Sequence, residues 1–206
     1  MSSSGIWFYS FPESEWLPTL PLPAAVREEF QEISVEEAEE AEEPERYQGL
    51  AMRLIARGAD YSGLSESDAE LFDEIVSGVA CLFEPRSPDS LDPEIVHKLF
   101  ERLTAPQKLG FFRRITSGRS PEVREPVLLP YLVVGRRPDG STPVQDARYA
   151  IFPSAEVPAL LAEIRKGLAI RPRYPDDLSH EEAEEFLVEP LAQTIRSAHC
   201  LMMRIA

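Results

Sequence analysis

The chain has 206 residues, and 36 acidic against 21 basic side chains give it a formal charge of −15 at pH 7. Hydrophobic residues make up 43% and charged residues 28%, enough apolar material to bury a core and to exclude a chain disordered throughout. The longest apolar runs, at 127–129, 131–134 and 200–203, fall far short of the roughly 20 residues a membrane-spanning helix needs, so neither an integral membrane protein nor a membrane partner is expected.

Gly5, Ile6, Trp7, Phe8, Tyr9 and Ser10 form a run rich in aromatic residues and too short for a helix, which predicts a strand. Ile6 and Phe8 lie on one face and Trp7 and Tyr9 on the other, so that strand should be covered on both sides. Pro18, Pro21 and Pro23 then predict an extended linker. From 27 to 43 the chain is compatible with a helix, with Ser34 and Glu37 at capping-box spacing, but past Val35 its apolar stripe is only Ala38 and Ala41. The acidic segment at about 28–45 is therefore expected to be a weakly anchored surface helix or disordered. Tyr47, Leu50, Ala51, Leu54 and Ile55 keep helical spacing up to Gly58. Ser67 with Glu70 predicts the start of an amphipathic helix through Leu71, Phe72, Ile75, Val76, Val79 and Phe83.

Asp92, Pro93 and Glu94 place a cap, a first-turn proline and an early acid ahead of Ile95, Val96, Leu99, Phe100 and Leu103. Thr104 with Gln107 starts a further helix that Gly118 ends, and Ser120, Pro121 and Glu122 mark another start. Residues 131–135 and 148–152 read as two strands about a turn-rich connection. Ser154 begins a helix bearing Leu160, Leu161, Ile164 and Leu168, and Ser179 with Glu182 begins one that Pro190 must kink or split. Residues 199–205 are apolar enough for a final strand. The sum is a single α+β domain over residues 1–206, mainly helical, with a small sheet built from N-terminal, middle and C-terminal strands. A C-terminal strand at the edge of that sheet would offer a route to self-association.

The charge is unevenly spread. Between residues 98 and 173 there are fourteen basic and seven acidic side chains, so this stretch carries +7 and the remainder −22. Ten glutamates stand against one arginine between residues 27 and 45. The residues from Met1 to Gly5 lack the basic and apolar regions of a secretory signal, which predicts a cytoplasmic address. Cys81 and Cys200 form no C-x-x-C pair, so they read as two reduced, partly buried thiols.

Few motifs carry chemistry. His180 and Glu184 share a helical face, but a metallopeptidase helix needs a second histidine where Glu184 stands, and no metal site is expected. His97, His180 and His199 lie far apart, and neither a nucleophile elbow nor a phosphate-binding glycine loop occurs, so no cofactor is expected and an enzyme is disfavoured. Arg113, Arg114 and Arg119 beside the helix start at Ser120 are the anion-binding candidates. Nucleic acid is disfavoured as a partner by the overall charge.

Trp7, Phe8, Tyr9, Phe11 and Trp16 read first as sheet core, and Trp7, Tyr9 and Trp16 with His199 are the pocket candidates. Glu32, Glu36, Glu37, Glu39, Glu40 and Glu43 are the partner-binding candidates, because an acidic surface speeds association with a basic one. The leading expectation is a non-enzymatic interaction protein of a bacterial cytoplasm, immunity-like or accessory, that binds a basic protein partner. The alternative is a small-molecule binder or enzyme with a site between sheet and helices.

Overall fold

The computed structural model describes residues 5–15, 20–87, 89–104, 126–144, 148–170 and 178–205. Strand β1 spans Ile6–Pro12, and helices α1 (Ala24–Glu40), α2 (Pro44–Arg57) and α3 (Glu66–Val79) follow it. A 3-10 turn at Ala80–Leu82 leads to the short β2 (Glu84–Pro85) and then α4 (Pro93–Thr104). After it come α5 (Tyr131–Val134), β3 (Tyr149–Phe152) and α6 (Val157–Ala169). The chain continues through α7 (His180–Ala183), a π turn (Glu184–Val188), α8 (Glu189–Arg196) and β4 (His199–Ile205).

The four strands form one antiparallel sheet in the order β2-β1-β4-β3, so the α+β reading and its N-terminal, middle and C-terminal strands hold. β1 runs against β4 from Ile6↔Ile205 to Pro12↔His199, and β4 also carries β3, from Tyr149↔Arg204 to Phe152↔Leu201. β4 is thus central, and the self-association that an edge position would have allowed loses its basis.

Successive side chains of a strand point to opposite faces, and in β1 both faces are apolar. Ile6 and Phe8 join Leu201, Met203 and Ile205 in a core against α4, α5, α6 and the α7–α8 region. Tyr9 and Phe11 join Cys200 and Met202 in a second core against α1, α2 and α3. The expected two-sided cover is present, with one helical layer on each face of the sheet. Among the described residues no helix is long and apolar enough to cross a membrane.

Helix α1 is held by Val26, Phe30, Ser34 and Ala38, a stripe of buried positions four residues apart. The bulky anchors, Val26 and Phe30, stand in its first half, and past Val35 only Ala38 continues the buried stripe among the glutamates, so the segment is helical as far as Glu40. Ser34 is not a cap: it sits in mid-helix and its hydroxyl donates to the Gln31 carbonyl at 3.0 Å. Helix α3 starts two residues earlier than expected, on Ser65, whose hydroxyl accepts from the Asp68 N–H at 3.1 Å. Asp92 and Ser179 do cap as expected, accepting from the backbone N–H of Glu94 at 2.9 Å and of Glu182 at 3.1 Å. Pro190 splits its helix: it has no N–H to give the carbonyl four residues back, and the turn before it widens to the π form. Thr104 is the last residue of α4 and not a cap, its hydroxyl donating to the Phe100 carbonyl at 2.9 Å, and the rest of the expected helix up to Gly118 and the one from Ser120 lie outside the described residues.

Residues 131–135 correct the sequence reading: they form the helical turn α5 instead of a strand. The cause is a tertiary acceptor. The Glu163 carboxylate of α6 takes the backbone N–H groups of Val127, Leu128 and Leu129 at 2.8, 3.0 and 2.9 Å, which starts the turn, and the Gly135 N–H closes it on the Tyr131 carbonyl at 3.0 Å. Glu163→Ala is expected to cost about 1–3 kcal/mol, the penalty for unmet donors, and to raise amide exchange across 127–134 before other helices. Exchange at 127–134 no faster than in the parent would refute this role.

Burial on the α1–α3 face of the sheet sets an alkaline limit. The Cys200 thiol is pushed from the ordinary 9.0 to about 11, chiefly by burial, with the Ser154 N–H opposing and the Glu13 charge adding. The Tyr9 phenol is pushed from 10.0 to about 12, again chiefly by burial. Both groups hold their proton more tightly folded than unfolded. Their contribution to stability is therefore complete below about pH 9 and is lost as pH rises through 11 and 12. Urea midpoints should be level up to pH 9 and then fall, and Cys200→Ala should remove the earliest part of the fall. An identical alkaline profile in that variant would show that the thiol is not the cause.

Candidate functional site

Where α1 ends the chain turns sharply: Ala41 is extended, Glu42 and Glu43 follow, and Pro44 opens α2. This corner faces α3, whose Ser67, Glu70, Leu71, Glu74 and Gly78 recur at helical spacing and so lie on one side of the helix. Between them is a cavity of about 670 Å³. Glu37 and Glu40 line it from α1, Ala41, Glu42 and Glu43 from the corner, Arg46 and Tyr47 from α2, and Arg204 from β4. Six glutamates thus surround it against two arginines.

Neutralisation within the cleft is local. Arg46 donates to Glu43 and to Asp68, both at 2.6 Å, and also to the Ser67 hydroxyl. The Ser65 hydroxyl and the Arg46 guanidinium hold the Asp68 carboxyl below its ordinary value. The Tyr47 phenol donates to Glu37; burial, then that hydrogen bond and the charges of Glu37 and Glu74, push it far up, so it remains a donor. Arg204 donates to the Cys81 sulfur at 2.7 Å, while its Nε is buried with no acceptor among the described residues. Glu40, Glu42 and Glu70 have no ion-pair partner among the described residues, and these charges give the cleft its sign.

Carboxylates above a wall of Ala41, Leu71 and the Tyr47 ring suit a cation on an aliphatic stem, because the stem packs while the head is paired. Among the described residues no three histidine, cysteine or acidic side chains converge closely enough to hold a metal ion. The Ser67 hydroxyl accepts from the Arg46 guanidinium, and among the described residues no histidine lines the cleft.

Of the glutamates singled out from sequence, Glu37, Glu40 and Glu43 line the cleft, while Glu32, Glu36 and Glu39 are exposed on α1 outside it. Glu42, Glu70, Glu74, Arg46, Tyr47 and Arg204 were not foreseen. The α3 members had a legible signal, since Glu70, Glu74 and Gly78 repeat every four residues beside the apolar stripe. Trp7, Tyr9 and His199 do not come together. Trp7 pairs with Arg204 at one end of β1 and His199 with Pro12 at the other, five residues or roughly 17 Å away.

Tyr9 is buried, Trp7 is half-buried against the same core, and His199 lies on the opposite face of the sheet. The His199 Nδ1 stands 3.2 Å from the Ser10 hydroxyl and 3.0 Å from the Arg86 guanidinium. Arginine only donates, so that nitrogen accepts there and Nε2 carries the ring proton. Ser10 is 3% exposed, too deep to meet a substrate. Cys81 is exposed, not partly buried, and Cys200 is buried. His180 is exposed at the start of α7. Trp16, Arg113, Arg114 and Arg119 lie outside the described residues. In comparisons with known proteins, no family model matches this chain, and no curated protein or solved structure matches it.

Proposed function

We propose that this is a non-enzymatic interaction protein, of the immunity or accessory kind, which takes a basic segment of a partner protein into the acidic cleft between the α1–α2 corner and α3. The observation that carries the reading is the set of carboxylates of Glu40, Glu42 and Glu70 around one cavity, none of which has an ion-pair partner among the described residues. Lysine or arginine side chains would pair with these groups and lay their stems on Leu71 and Tyr47, and the field of the cleft would speed the encounter. Two free cysteines support a reducing, cytoplasmic setting. A second reading has one observation in its favour: at about 670 Å³ the cavity falls in the size range of small-molecule sites, and its occupant would then be a small linear polyamine.

The test is an NMR titration with a lysine- and arginine-rich peptide of about ten residues, repeated with spermidine, at low and high salt. Shifts are expected at 37–47 and 67–78, with affinity falling as salt screens the pairs. Exposed pairs are worth about 0.5 kcal/mol each, so the triple change Glu40→Gln, Glu42→Gln, Glu70→Gln should weaken the peptide roughly tenfold. The same change at Glu32, Glu36 and Glu39 should cost about twofold or less, since those side chains stand outside the cleft. Equal losses in the two triples, or no salt dependence, would refute the cleft as the binding site. Tighter capture of spermidine than of peptide would replace the first reading by the second.

A further inference from the structure

We draw no further inference here: the strongest candidate, the exposed thiol of Cys81 beside the Arg204 guanidinium on the wall of the acidic cleft, is a lone cysteine at the edge of the site already described, and no second feature among the described residues points to a ligand for it.

Discussion

Asp73→Asn is expected to lower the unfolding free energy by about 3–5 kcal/mol in urea, the cost of leaving one member of a buried ion pair alone. Asp73 is on α3, is 0% exposed, and has both carboxylate oxygens fully engaged. Oδ1 accepts from the Tyr61 hydroxyl at 2.8 Å and from Arg137 Nε at 2.9 Å. Oδ2 accepts from Arg137 Nη2 at 2.6 Å and from the Val144 backbone N–H at 2.9 Å. Arg137 also lies over the Tyr61 ring, 5.0 Å from its centre, and its side chain is only 16% exposed. An asparagine would turn an NH2 toward donors and leave the guanidinium uncompensated. Domains of this size are stable by about 5–15 kcal/mol, so the loss is a large fraction of the whole. Removing both charges together, as Asp73→Leu with Arg137→Met, should recover much of it, because apolar groups of similar volume replace buried pairs at little cost. A single Asp73→Asn variant within 1 kcal/mol of the parent would refute a structural role for the pair.

Gly135→Ala should be nearly as damaging, at about 3 kcal/mol, and Gly140→Ala should cost only about 1 kcal/mol. Both glycines have positive φ, +81° and +88°, so each substitution meets the same backbone penalty. They differ in surroundings. A Cβ on Gly135 would stand 2.6 Å from the Pro143 side chain and 2.7 Å from the Tyr149 carbonyl oxygen, whereas around Gly140 there is nothing within 4 Å. The carbonyl cannot withdraw, because it accepts the Arg136 N–H at 2.7 Å and thereby ties the segment to β3. The difference between the two variants measures the steric part alone. Gly135→Ala and Asp73→Asn loosen the same stretch, 135–144, from opposite ends, so their combined effect should be smaller than the sum. Equal costs at the two glycines, measured by urea unfolding, would show that the close approach at Gly135 is relaxed at no expense.

How far the sequence revealed these features depended on the range of the interactions involved. β1, β4 and the starts of α4 and α7 were legible because short, continuous apolar runs and capping pairs are written within a few neighbouring residues. The turn at 131–134 was not, since Tyr, Leu and Val there favour a strand and the deciding acceptor, Glu163, comes about thirty residues later in the chain. The brief β2 was missed because two residues carry no period. Asp73 falls among Phe72, Ile75 and Val76, where a helical pattern allows either a buried or a boundary position, and its partner Arg137 sits in an irregular segment. For the cleft, the glutamate-rich run was obvious and its partition was not. Which carboxylates turn inward depends on how α1 crosses to α2 and on a second helix, α3, and neither is contained in the acidic segment.

The pairing of β1 with β4 also dictates an order of events during synthesis. A ribosome emitting this chain releases Ile6, Trp7, Phe8, Tyr9 and Phe11 early, yet their main partner strand begins only at residue 199. Helices α1–α3 can gather locally in the meantime, but they shelter only the Tyr9 and Phe11 face. The Ile6 and Phe8 face, and the hydrogen-bonding edge of the strand that β4 takes, stay without their final cover until β4 has been made. Such late closure of distant contacts slows folding, and it leaves an aromatic strand open to wrong partners throughout translation.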